Sequence, residues 1–266
     1  MPFPLAHPAA VLPFVRRPFV ASALVAGALA PDLLYLDPLY DLATRQIHGS
    51  FTLTLTHQFT SALWLNPLLA LLALVVFHWV LKRPLVALAP PSLAGRLKPS
   101  GRRPTANYLL WAAISLVIGG FTHVLWDSFT HYDGYFVRQW GFLTANLTPT
   151  WDVNRVLQYL SSIGGILLIV LWLYRWWQRT TPEPVDPERY LSPPARYAVL
   201  AAAAVAGLAG AIVTVVRTAQ EDDARVGEAV LRLSLTGLGT GAAAALAMYV
   251  VGWHVFRRRR QPVTAV

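Results

Sequence analysis

The stretch FTHVLWDSFTH, residues 121–131, sets His123, Asp127 and His131 four residues apart at the end of an apolar run. A helix that continues through them lines all three side chains along one face. Two ligands at i and i+4 are also how a helix offers a pair of side chains to one metal ion. Ionisable groups at membrane depth are costly and point to function by default. A hydrogen-bonded His–Asp pair between helices produces the same pattern, so the motif alone leaves the metal and structural readings open.

Residues of matching chemistry lie elsewhere in the chain. His57, in TLTHQFTSALW, precedes one apolar run, and Asp32, in LAPDLLYL, ends another. If both share the membrane face where 121–131 ends, two imidazoles and two carboxylates meet at one depth. That is the donor set of a divalent-metal site, with zinc or a harder ion as occupant. His7, in FPLAHPAAVLPF, joins them only if residues 5–31 turn back as a short helical hairpin. A spanning 18–36 would carry it to the opposite face. The uncharged run 18–31 is shorter than the ~20 residues a span needs, which favours the hairpin. Arg16 and Arg17 at its tip must then snorkel to the polar layer. The same run, with Ala28-Leu29-Ala30, imitates a cleavable signal, but Pro31 behind the expected cut argues that the segment is retained.

The elements that must position these residues are helices in lipid. Of 266 residues, 55% are hydrophobic and 13% charged, with a mean hydropathy of +0.46. Soluble domains carry about 25% charged residues, so lipid must cover much of this chain. Segments 61–81, 107–126, 156–174 and 197–216 are long enough to span, and 229–254 is apolar apart from Arg232. The expectation is all-α: a polytopic transmembrane helix bundle with five full spans plus an N-terminal helical hairpin or sixth span. Residues 1–177 form its metal-site membrane domain, 178–196 a cytoplasmic linker, and 197–266 a C-terminal transmembrane helix pair with a basic tail. The Pro- and Arg-rich stretches 82–104 and 175–196 read as loops or interfacial segments.

Charge sets the orientation. Loop 82–103 holds six Lys and Arg, 175–196 holds four, and Arg257–Arg260 ends the last apolar run. Segments 32–60, 127–155 and 217–228 hold one, two and two. The basic loops and the C-terminus are therefore expected in the cytoplasm, with 32–60 and 127–155 outside. The net charge of +9 has this topological use, and no recognition module accompanies it to suggest nucleic acid. The absence of cysteine excludes thiolate ligands and a cysteine nucleophile. His78 and His254 read as residues of the inner interface, and His48 as part of an outer loop. Trp172, Trp176 and Trp177 fit an aromatic belt. Gly237, Gly239 and Gly241 follow no strand and read as small residues for close helix packing.

FPLAHPAAVLPF, GALAPDLLYL, LTHQFTSALWLNPLLALLALVVFHWVLKRPLVAL, GGFTHVLWDSFTHYDG and LQYLSSIGGILLIVLWLYRW, in this order, resemble a bacterial integral-membrane family of unknown function. The resemblance covers roughly residues 1–177. That family is similar to the membrane-bound metal-dependent hydrolases of the LexA-regulated inner-membrane type, and loosely to zinc-dependent phospholipase C. The resemblance implies His7, Asp32, His57, His123 and Asp127 as metal ligands, with His131 an addition. It implies Asp127 or Asp32 as the catalytic carboxylate. It also implies the bacterial cytoplasmic membrane as the location; membrane embedding itself suggests a lipid or lipid-linked substrate, and the metal chemistry an ester or phosphoester. Leu33, Leu34 and Tyr35 stand where the hydrolases carry further Asp and His, which thins the ligand set. The expected function is metal-dependent hydrolysis at the extracytoplasmic interface. The alternative is a non-catalytic membrane protein whose His/Asp cluster is structural or carries an ion.

Overall fold

The computed structural model describes residues 3–35, 53–97, 104–149, 151–184, 190–218 and 226–258. His48 lies outside these residues. Five helices are long and apolar enough to cross a membrane: Leu65–Leu88, Ala106–Gln139, Val153–Arg179, Pro193–Val216 and Leu233–Phe256. The chain is an all-helical, multi-pass membrane protein whose only strands among the described residues are Asn146–Thr148 and Trp151–Asp152. It forms two compact units, Met1–Val76 with Pro99–Thr181, and Phe77–Lys98 with Pro182–Val266.

The first unit starts with the hairpin. Pro4–Phe14 winds as a 3-10 helix, because Pro8 and Pro13 remove the donors a longer α-helix would need. The chain turns at residues 15–20 and returns as α1, Ala21–Leu29, which tightens into a 3-10 turn over Ala30–Tyr35. Ala21–Leu34 is apolar but too short to span. His7 and Asp32 therefore lie at the same end of the hairpin, while Arg16 and Arg17 reach its opposite tip.

Helix α2, Leu65–Val76, and the long helix α4, Ala106–Thr130, pack against α1. Helix α3, Lys82–Leu88, belongs to the second unit. Thr105 Oγ1 caps the start of α4 by accepting from the Tyr108 N–H at 3.2 Å. One stripe of α4 carries Ser115 and Gly119, then His123 and Asp127. Gly119 lies against the backbone of α1, where an added Cβ would collide with the Leu24 carbonyl and the Ala28 nitrogen. Gly27 faces the Leu116 carbonyl in the same way. Small residues let the two backbones touch, the usual device where lipid removes any hydrophobic drive to associate. Ser115 Oγ accepts from the Val20 N–H at 3.0 Å and pins the start of α1 to α4.

A short helix α5, Tyr135–Gln139, and the two-stranded hairpin lead into α6, Val153–Arg179. Helix α6 packs on the Pro4–Phe14 segment through Gly165, which lies against Ala6 and the Trp126 ring. Ser162 Oγ accepts from the Phe3 N–H at 3.1 Å and fixes the N-terminal end of that segment.

In the second unit, helix persists into the stretch expected to be a loop or interfacial segment, since α3 covers residues 82–88. A π-turn over Phe77–Leu81 leads into it, which lets Pro84 enter the next turn without breaking the run. Pro84 has no N–H to offer the Val80 carbonyl one turn back, and that carbonyl accepts from His254 Nε2 at 2.9 Å. The Tyr249 hydroxyl donates to the Pro84 carbonyl at 2.8 Å. His254 thus has a backbone partner in addition to its place at the helix end. Helices α7, Pro193–Thr218, and α8, Val226–Arg258, form a close pair. Gly210 meets Gly237 and Gly241 meets Ala206, whereas Gly239 faces open space.

Candidate metal centre

All six candidate residues lie in the first unit, and the fold brings them together. His57 Nε2, His123 Nε2 and Asp127 Oδ2 form a triangle with sides of 3.4, 3.1 and 3.2 Å. A tetrahedron whose corners stand ~2.0–2.1 Å from a zinc ion has edges of ~3.4 Å, so the triangle fits one of its faces. Asp32 Oδ1 lies 3.5 Å from His57 Nε2 and 3.7 Å from His123 Nε2. His7 Nε2 is 3.5 Å from Asp127 Oδ1, and its ring stacks on His123 with centroids 3.7 Å apart. Two triads therefore hold their ligand atoms within 4.8 Å of one another: His57, His123 and Asp127, and His7, Asp32 and His123. They share His123.

Ion-pair distances alone do not satisfy these groups. Both oxygens of Asp32 and of Asp127 and both ring nitrogens of His7 are buried without a well-directed hydrogen bond. Buried polar atoms are normally paired, and a buried carboxylate without a partner is among the costlier exceptions. Lone pairs of nitrogen and oxygen that converge on one point need either protons or a cation between them. The donor set fits a divalent ion.

The supporting contacts aim the ligands. His123 Nδ1 donates to the Ala28 carbonyl at 2.7 Å, which leaves Nε2 with the lone pair directed at the carboxylates. That bond exists because Gly27 and Gly119 let α1 approach α4. His57 Nδ1 is paired with Thr56 Oγ1 at 3.0 Å, which directs its Nε2 in the same way. Burial opposes a charge on His57, but the Asp127 and Asp32 carboxylates outweigh it and push the imidazole up to about 10. At neutral pH the ion-free cluster carries a proton on His57.

His131 departs from the continuing helix. Helix α4 ends at Thr130, and His131 has an extended backbone, with φ −92° and ψ 143°. Its ring still folds back, with Nδ1 3.4 Å from Asp127 Oδ1, but it belongs to neither triad. The side chains of His57 and His131 are each 18% exposed, against 0–5% for the other four. The cluster opens past these two rings. His78 lies in the other unit, beside the Phe77 ring.

Asn66 is a site residue that spacing does not reveal. It is fully buried at the start of α2, and its Nδ2 donates to the Thr56 carbonyl at 2.9 Å. Gly120 makes room for it on α4. Asn66 therefore fixes the backbone that carries His57. The polar residue within an apolar run, LWLNPLL, is the available signal. Asn66→Ala or Asn66→Asp should weaken zinc binding about 10–100-fold, the usual cost of losing an outer-shell partner. A chelator-competition titration measures it; unchanged affinity in both variants would exclude this role.

The chain matches one family model, a domain of unknown function, DUF4184, over residues 1–251. The chain belongs to the DUF4184 family. The match runs past residue 177 and takes in the C-terminal helix pair, so the family extends beyond the motifs of the first unit. No curated protein and no solved structure matches the chain.

Proposed function

We propose that this DUF4184 protein is a membrane-embedded, metal-dependent hydrolase of esters or phosphoesters, and that zinc is its ion. The observation that carries the proposal is the triangle of His57 Nε2, His123 Nε2 and Asp127 Oδ2 beside buried carboxylate oxygens that lack a well-directed hydrogen bond. His57, His123 and Asp127 would hold the ion, with Asp32 and His7 beside them. A bound divalent ion supplies polarisation of the ester or phosphoryl oxygen and activation of water. The carboxylate of Asp127 or Asp32 that is not needed as a ligand holds the proton taken from water. The half-buried Trp126 ring meets the buried His7 ring edge-on, with centroids 5.4 Å apart.

The orientation belongs to the same proposal: the cluster faces outward and the C-terminus lies in the cytoplasm. The excess of Lys and Arg in 82–103 and 175–196 over 32–60 and 127–155 supports it. A second reading, a structural cluster with no catalysis, draws on Leu33, Leu34 and Tyr35 after Asp32, where further metal-binding side chains would strengthen a hydrolase.

The experiment uses full-length protein, stripped with chelator and reloaded with zinc, on a p-nitrophenyl ester and on bis(p-nitrophenyl) phosphate. Hydrolysis that returns with zinc and is lost in Asp127→Asn is the expected result. Stoichiometric zinc without turnover of either compound would support the ion-carrying alternative. Preparations that never take up stoichiometric metal would end the metal reading as well.

A further inference from the structure

The connection from α4 to α6 has the wrong surface for a loop in water. Residues 131–152 contain six aromatic residues and three charged ones, Asp133, Arg138 and Asp152. Val137 and Leu143 point inward and are buried. Tyr132, Tyr135, Trp140, Phe142, Leu147 and Trp151 point outward, with Tyr132 74% and Phe142 62% exposed. An apolar surface of this kind marks contact with a partner or a membrane. The partner is set by continuity, because the segment joins two helices long and apolar enough to span and so must lie where they leave the bilayer. Aromatic residues concentrate at that boundary, where one end of the ring is wet and the other apolar.

The segment is also tied to the cluster. Phe129, between Asp127 and His131, stacks on Phe136 with centroids 4.3 Å apart at 15°. Phe136 meets Trp140 at 4.9 Å, and Trp140 lies over Phe142 at 5.9 Å. Tyr135 reaches Phe59, two residues from His57, at 6.0 Å. Gly134 lies against the last carbonyls of α4, where an added Cβ would be 2.6 Å from the Ser128 oxygen. The aromatic segment thus packs against the side of the cluster that His57 and His131 leave open.

We propose that residues 131–149, with Trp151 and Asp152, form an interfacial collar that holds the mouth of the His/Asp cluster at headgroup depth, so that its ligand is the phosphate- or ester-bearing headgroup of a bilayer lipid. The substrate half rests on the hydrolase reading above; the depth of the collar does not. A lipid reaches the mouth by lateral diffusion, whereas a soluble ester must first cross the collar's aromatic layer.

The test exploits the lack of cysteine in the chain. Tyr132→Cys, Phe142→Cys and Leu147→Cys, all at exposed positions, are labelled with bimane in the full-length protein. Leu167→Cys, an exposed residue in the middle of α6, serves as the ruler. Each is reconstituted in phosphatidylcholine vesicles carrying a headgroup nitroxide lipid or a mid-chain nitroxide lipid, or exposed to an aqueous nitroxide. The collar labels should be quenched several-fold more by the headgroup nitroxide than by the other two, and Leu167→Cys most by the mid-chain one. Preferential quenching of the Tyr132 and Phe142 labels by the aqueous nitroxide places the mouth in water and overturns the proposal. Preferential mid-chain quenching buries the mouth in hydrocarbon and overturns it equally. His123→Ala in the same background should leave the pattern unchanged. Failure of the metal reading therefore appears as unsubstituted protein that takes up no zinc or as zinc retained by His123→Ala, and failure of the collar as altered depth.

Discussion

Replacing His123 with alanine is expected to reduce bound zinc from stoichiometric to background while the protein still inserts. His123 belongs to both ligand triads, so its loss depletes each of them. Asp127→Ala should do the same, because one of its oxygens lies 3.1 and 3.2 Å from the two imidazoles. Insertion is driven by the apolar runs, which neither change touches. Elemental analysis of purified protein reads the outcome, with His78→Ala in the other unit as a control that keeps its metal. The pH dependence has a definite sign. His57, held up to about 10 in the ion-free cluster, is protonated at pH 7 and must lose that proton to bind. Zinc uptake should therefore release protons, and affinity should rise with pH across the neutral range. Calorimetry in buffers of different ionisation enthalpy measures the release. Zinc uptake without proton release would mean that His57 is already neutral before the ion binds or is not a ligand. Retention of metal by both His123→Ala and Asp127→Ala would remove the cluster as the binding site.

Gly119→Ala is expected to lower thermal stability by several degrees and to weaken zinc binding, although the residue touches no ligand. An alanine in a helix interior gains about 1 kcal/mol over glycine from backbone propensity. At Gly119 that gain is opposed by a collision with the Leu24 carbonyl and the Ala28 nitrogen. Overpacking of a tight contact costs about 1–3 kcal/mol, and backbone atoms yield less easily than side chains. The strain wins, and its relief moves α1 away from α4. The Ala28 carbonyl then leaves His123 Nδ1, now 2.7 Å away, and frees the ring to rotate. Gly164→Ala on α6 is the matched comparison, since a Cβ there meets nothing within 4 Å. It should be neutral or stabilising. Fluorescence-detected thermal unfolding in detergent, with zinc titration of both variants, checks the pair. Equal behaviour of the two variants would show that close approach of α1 and α4 does not matter.

The spans and the core of the site follow from local pattern. Apolar runs of about 20 residues have to become helices in lipid, because no water is there to satisfy the backbone. His123 and Asp127 meet at i, i+4 on any helix, so their pairing needs no tertiary information. The hairpin was also legible, as 14 uncharged residues are too few to cross. Two local readings were incomplete for reasons that lie outside local pattern. The helix persists through Lys82–Leu88 with Pro84 in its first turn, and contacts from Tyr249 and His254, about 170 residues away, support it. His131 lies beyond the end of α4, where Tyr132-Asp133-Gly134 turns the chain, and only its folded-back ring returns it to Asp127.

The chemistry of the cluster was written in residue types, but its assembly belongs to the tertiary structure. His7, Asp32, His57 and His123 come from four separate segments, and no periodicity within one segment can specify the distances of 3.2–3.7 Å between segments. Those distances depend on Gly27 and Gly119 removing two side chains from one helix contact, on Asn66 holding the turn before α2, and on Gly165 seating the N-terminal segment. Each is a close approach of backbones or a buried hydrogen bond across the fold. The sequence by itself determined which donors exist and which apolar runs they stand beside. Packing decided which of their atoms face one another, because only packing sets the separation and rotation of helices that share no local sequence.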